Sequence, residues 1–160
     1  MTDRINRFLA ETRPETPCLV VDLDRIETNY LELRRALPLA RIFYAVKANP
    51  EPAVVARLAA AGASFDTASR AEIELCLANG ATPDRISFGN TIKKQKDIAW
   101  AYAQGVRLFA FDSDAELDKL IDSAPGASVF CRLLTDCGGA EWPLSFKFGC
   151  HPSMAAALLL

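Results

Sequence analysis

The chain has 160 residues, 51% hydrophobic and 24% charged, and its 18 basic and 20 acidic residues leave a net charge of −2. These values suit one globular domain with a sizeable core and exclude the basic footprint of a nucleic-acid binder. The N-terminus carries no apolar leader run, and the longest apolar stretch, residues 154–160, is too short to span a bilayer, so the expectation is a cytoplasmic protein with no membrane or nucleic-acid partner.

In chain order, Pro17 to Leu23 reads as a strand, and Asp24 with Glu27 three residues on reads as the cap of a helix ended by Pro38. A strand-then-helix unit then repeats. Ile42–Val46 precedes a helix to about Ala61, Ser64–Thr67 precedes a helix over Arg70–Asn79, and Ile86–Gly89 precedes one to about Gln104. Leu108–Phe111 precedes a helix from Asp114, and Ser128–Thr135 reads as a fifth strand. Pro52 opens one helix, Gly62, Gly80 and Gly105 follow three helix ends, and Ser69/Glu72 and Ser113/Glu116 form two capping boxes.

Polar residues stand at the C-terminal ends of the strands, at Lys47, Asp66, Asn90, Asp112 and Asp136, spaced by 19, 24, 22 and 24 residues. That period implies a parallel sheet covered by helices, either doubly wound or a (β/α)₈ barrel, with ligands at the strand C-termini in both cases. A closed barrel needs eight strands and about 250 residues. Five units are visible here, and the last helix stops at Leu160 without a cap, so the expectation is a partial barrel. The whole chain, 1–160, is then the N-terminal part of a longer barrel domain.

Lys47 is the first candidate for a reacting residue. In the run Arg41 to Pro50 (RIFYAVKANP) it follows five apolar residues that read as a buried strand, a place where partial desolvation frees an amine for Schiff-base chemistry. A strand-end lysine reaching for solvent or pairing with a carboxylate is the competing reading. Arg132, inside an apolar strand, reads as a charge that needs a partner. His151, the only histidine, precedes Pro152 and reads as a cap or surface residue, and Gly138-Gly139 reads as a turn. Cys18, Cys76, Cys131, Cys137 and Cys150 are odd in number with no C-x-x-C pair, so reduced thiols are expected rather than a disulfide framework or a metal site.

Five segments in order, YAVKAN (44–49), FDTASRAE (65–72), RISFGNTIKK (85–94), FDS (111–113) and AEWPLSFKFG (140–149), carry a resemblance over essentially the whole chain. The sequence resembles the fold-type III pyridoxal-phosphate-dependent decarboxylases of ornithine, lysine, arginine and diaminopimelate, with the pattern most similar to bacterial ornithine/lysine enzymes. Diaminopimelate enzymes tend to have Ser-Gly-Gly-Glu where Ser69 to Glu72 stand here, and alanine racemases continue differently after the lysine. The resemblance implies that pyridoxal 5′-phosphate is held on Lys47, that Asp66 and Glu72 lie near the cofactor, and that Arg132 faces it. It further implies that Lys147 supports a subunit contact of a homodimer, and that the substrate is a basic amino acid, with ornithine converted to putrescine as the leading expectation. Asp66 and Glu72 also read as helix-start charges, Glu72 completing a capping box, and Lys147 as a solvated surface lysine. Phe146 departs from the family pattern. The family's stacking histidine, glycine-rich phosphate loop, pyridine-pairing glutamate and C-terminal β-domain match nothing in these residues, which implies weak cofactor binding and little turnover by this chain alone. A non-catalytic half-barrel that binds a full-length subunit is the alternative.

Overall fold

The computed structural model describes residues 2–135, 138–139 and 147–159. Asp136, Cys137 and Phe146, singled out in the sequence, lie outside them. The described chain divides into two compact units, residues 1–40 and 41–160.

The first unit holds two helices, α1 (Asp3–Thr12) and α2 (Leu23–Ala36). The polar start conceals α1, whose first turn is capped by the Thr2 hydroxyl accepting from the Ile5 amide. Residues 17–22 are not the expected strand: among the described residues no partner strand takes their amides and carbonyls into a ladder, and Leu23 already belongs to α2. The cap of α2 is Asp22, not Asp24, because the Asp22 carboxylate accepts from the Asp24 and Arg25 amides at 3.1 and 3.3 Å. Asp22 also accepts from the Thr2 hydroxyl, and Arg4 pairs with Asp24, so the two helix starts are tied together.

The second unit contains the repeating pattern. Strands β1 (Phe43–Ala45), β2 (Ser64–Thr67), β3 (Ile86–Phe88), β4 (Leu108–Phe111) and β5 (Ser128–Cys131) form one all-parallel sheet in the order 1-2-3-4-5. Helices α3 (Pro52–Ala60), α4 (Arg70–Ala78), α5 (Gln95–Ala103) and α6 (Asp114–Ser123) connect them, and α7 (Pro152–Leu159) follows. A doubly wound sheet reverses its strand order at a switch point, whereas an unbroken sequential order is the barrel pattern. The fold is therefore a partial (β/α)₈ barrel of five βα units.

Strand periodicity splits the side chains into two faces. Phe65, Phe88, Phe109, Phe111, Ile86 and Val46 are buried at 2% exposure or less, with Ile73 of α4 and Ile98 of α5 equally buried in the helix layer. The opposite face presents Phe43, Ala45, Asp66, Ser87, Leu108 and Phe130 to the concave side. Gly62, Gly80 and Gly105 take φ of +89°, +91° and +95° past α3, α4 and α5, where a side chain would be strained. β1 and β5 are shorter than read from the sequence: the chain after Ala45 tightens into a 3₁₀ turn, and β5 stops at Cys131. Both are edge strands, each paired on one side only among the described residues.

Candidate functional site

The C-terminal strand ends open onto a cleft of about 730 Å³ lined by Phe43, Ala45, Lys47, Asp66, Ser87, Gly89, Leu108, Phe130 and Arg132. Ladder register sets these residues side by side: Ala45 pairs with Asp66, Asp66 with Ser87, and Ser87 with Leu108. The chemistry-bearing residues thus arrive on one face because the strands are parallel and in step.

Lys47 sits on the turn Val46–Ala48, which is pinned in three ways. Buried Val46 anchors its start, the Asn49 amide donates back to the Val46 carbonyl at 3.2 Å, and the Tyr44 hydroxyl donates to the Asn49 carbonyl at 3.1 Å. Burial raises the Tyr44 phenol above its ordinary range. Lys47 itself is exposed, contrary to the expected desolvation, because β1 is half-buried and its concave side faces the open cleft instead of a second protein layer.

Asp66 is the electrostatic centre of the cleft. Burial holds its carboxyl above the usual carboxylate range, the Ser87 hydroxyl and the Lys47 and Arg132 charges pull it down, and Glu72 pushes it up. Gly89 leaves the room that Asp66 occupies: a Cβ built there would lie 1.9 Å from Asp66 Oδ1 and 2.7 Å from its Cγ. The β2–β3 junction is further tied by the Thr67 hydroxyl, which donates to the Ser87 carbonyl at 2.7 Å.

Arg132 is not buried within a strand. It lies just past the end of β5, exposed on the cleft side, where its amide continues the ladder to the Phe111 carbonyl and its guanidinium stacks 5.1 Å from the Phe148 ring centre. Its guanidinium thus meets an aromatic face, and its charge is felt by Asp66. Glu72 stays outside the cleft lining. Its Oε2 accepts from the Ala68 amide at 2.7 Å while its own amide donates to the Ser69 hydroxyl, so it caps α4 and reaches Asp66 only as a field. Lys147 is exposed, 5.4 Å from the Phe148 ring centre, and is not among the residues that line the cleft. His151 caps α7 by accepting from the Ser153 amide, and Gly138-Gly139 is a turn.

The cleft volume falls within the range of small-molecule sites. Ala45, Leu108 and Phe130 form an apolar floor for a flat ring, Lys47 offers a primary amine, Arg132 a cation for an anionic group, and Gly89 the gap that keeps Asp66 in place. That donor set fits an aldehyde cofactor bearing a phosphate.

Residues 23–160 match the family described as pyridoxal-dependent decarboxylase, pyridoxal binding domain. The chain belongs to that family. It is 37% identical over 159 residues to the lysine/ornithine decarboxylase of Selenomonas ruminantium, covering 99% of this chain and 40% of that protein. It is 41% identical over 145 residues to the chloroplastic ornithine decarboxylase of Nicotiana glauca, covering 89% and 33%. A crystal structure of an SrLDC mutant in complex with PLP superposes with a TM-score of 0.88 at 37% identity, covering 99% of this chain and 41% of that one. The chain thus spans about two fifths or less of the length of these relatives, and its cofactor is pyridoxal 5′-phosphate.

One cluster has no signal in the sequence. Lys93, with a fully buried side chain, pairs with Glu116 Oε1 at 2.8 Å and donates to the Asn90 carbonyl at 2.8 Å and to the Ala110 carbonyl, and Lys119 closes on Glu116 Oε2. This ties the β3–α5 turn that begins at Gly89 to β4 and α6. Glu116 reads as half of a capping box, and the Ser113 hydroxyl does accept from its amide at 3.4 Å, but its carboxylate is spent on the two lysines. No helix in the described residues is long and apolar enough to cross a membrane.

Proposed function

We propose that this chain forms the Lys47-bearing part of a pyridoxal-phosphate-dependent decarboxylase that acts on a basic amino acid, with ornithine as the leading substrate and lysine the alternative. The observation that carries this reading is the meeting of Lys47, Asp66 and Arg132 around one apolar-floored cleft at the strand ends. The names of the relatives support the basic substrate, since they act on ornithine or on lysine and ornithine.

Lys47 Nζ supplies the nucleophile that bonds the cofactor aldehyde, and its pinned turn keeps the amine aimed into the cleft. Bound pyridoxal phosphate would supply an electron sink for the decarboxylation. Asp66 balances the positive charge on Lys47 Nζ, and Arg132 across the cleft offers a cation to a phosphate or carboxylate. Ala45, Leu108 and Phe130 form an apolar floor that would exclude water from the cleft and so strengthen each of these charge contacts. Glu72 acts from outside the cleft, holding the start of α4 so that Ala68 and Asp66 stay in register. Exposed Lys147, beside Phe148, is the residue offered to a second subunit of a cytoplasmic homodimer, a setting in keeping with the free thiols of the four described cysteines.

The test is release of labelled CO₂ from carboxyl-labelled ornithine, lysine and norleucine in the presence of pyridoxal phosphate. Slow release that favours ornithine and vanishes in Lys47→Ala is expected. Equal release in both proteins, or preference for norleucine, contradicts the reading.

A further inference from the structure

We propose that Cys131 and Cys150 form a reversible disulfide, a modification site that staples the end of β5 to residues 148–150 and holds Arg132 at the cleft. The two sulfurs stand 3.5 Å apart, in van der Waals contact, although 19 residues separate them in the chain. Backbone geometry enforces the approach. Leu133 bridges Cys150 in parallel register, the Cys150 amide donates to the Arg132 carbonyl at 3.0 Å, and the Leu134 amide donates to the Cys150 carbonyl at 2.9 Å. Gly149, at φ +103°, makes room for it: a Cβ there would lie 2.8 Å from the Leu133 carbonyl carbon. The Gly149 amide is in turn fixed by the Asp112 carboxylate at 2.8 Å.

These residues surround Arg132. Cys131 precedes it, and Phe148, against which its guanidinium stacks, lies two residues before Cys150. A covalent link would therefore fix both sides of the Arg132–Phe148 contact. Cys131 is partly exposed and Cys150 is 5% exposed, so the first is the thiol an oxidant meets. Burial, followed by the Cys150 contact and the Asp112 charge, pushes the Cys131 thiol up to about 11. Cys131 therefore rests as a protonated thiol, and its oxidation is slow until oxidant accumulates.

With hydrogen peroxide the step balances as follows. Cys131 loses its proton to solvent and its sulfur attacks one peroxide oxygen, forming S–O and breaking O–O, and the leaving hydroxide takes up a proton as water. Cys150 sulfur then displaces the hydroxyl of that sulfenic acid, forming S–S and breaking S–O, with the Cys150 proton leaving in a second water. Two thiols are oxidised by two electrons, and the peroxide is reduced to water. A thiol such as dithiothreitol reverses the link by exchange.

Trypsin places all five cysteines in separate peptides, so the pairing can be read directly. The chain is treated with hydrogen peroxide, free thiols are capped with N-ethylmaleimide, and the digest is weighed with and without dithiothreitol. The expected result is peptide 120–132 linked to peptide 148–160, lost on reduction, absent from Cys131→Ser and retained in Cys18→Ser. Linkage of either peptide to those holding Cys18, Cys76 or Cys137, or oxidation of Cys131 with no linkage, overturns the proposal. Because Cys150→Ser could unfold a buried position, the second readout uses the unmodified sequence: the oxidised chain should unfold at a higher urea concentration than the reduced one. An equal or lower midpoint would show that the native geometry does not accommodate the bond.

Discussion

Replacing Lys93 by methionine should be the most destabilising single change next to the cleft. The side chain is fully buried, pairs with Glu116 Oε1 at 2.8 Å and donates to two main-chain carbonyls. Methionine fills the space of the stem but leaves Glu116, 2% exposed, with only the part-exposed Lys119 as counter-charge. Breaking a buried pair by removing one partner costs about 3–5 kcal/mol. With the urea dependence usual for small domains, the midpoint should fall by on the order of 2 M. Replacing both groups, Lys93→Met with Glu116→Leu, removes the stranded charge and should return the chain to within about 1 kcal/mol of its starting stability. Burial already lowers the Lys93 pKa, with Glu116 opposing the fall, so the native state binds its proton less tightly than the unfolded chain. On sign, this group makes stability rise as pH climbs through its folded pKa toward the unfolded value, and Lys93→Met should abolish that rise. Urea melts of the four proteins of the double-mutant cycle measure these quantities. A loss under about 1 kcal/mol in Lys93→Met, or a double variant as unstable as the sum of the singles, would refute the reasoning.

Two further changes probe the cleft. Gly89→Ala drives a methyl group into the Asp66 carboxylate, so that side chain must swing away; the expected cost is about 1–3 kcal/mol with loss of cofactor binding, and a crystal structure or cofactor titration that shows Asp66 unmoved and affinity intact would contradict it. Asp66→Asn removes a carboxyl that burial holds above its ordinary pKa. Because the folded state binds that proton more tightly than the unfolded chain, stability now falls as pH rises from the unfolded pKa through the folded one. The variant should therefore be more stable than the parent at neutral pH and lack that fall, while binding cofactor more weakly, as thermal melts from pH 3 to 8 would reveal.

The repeating unit was legible because each strand and helix obeys its own local signals. Ser64–Thr67 and Leu108–Phe111 match their expected bounds, and Ser69 caps α4 as its box requires. Sequence left the doubly wound and barrel alternatives open, since both share one period and only strand order separates them. The extended run after Pro17 misled because apolar composition says nothing about whether a neighbouring strand is there to pair. Lys47 and Arg132 were found as residues but misjudged in environment for a shared reason: each stands just past the end of an edge strand whose concave side opens to the cleft, and a run of apolar neighbours does not reveal which face is covered. The pairing of Lys93 with Glu116 was missed because it spans two βα units, a distance over which no periodicity carries information. The Cys131–Cys150 contact depends on the positive φ of Gly149, which the spacing of the cysteines does not encode.

The most direct test of the account is where the cofactor bonds. The chain is mixed with pyridoxal phosphate, reduced with borohydride and digested with trypsin. The account predicts one dominant phosphopyridoxyl adduct on Lys47, in a peptide left uncut at that residue, and its loss in Lys47→Ala. An adduct spread over the surface lysines, or one that persists undiminished in Lys47→Ala, would contradict it.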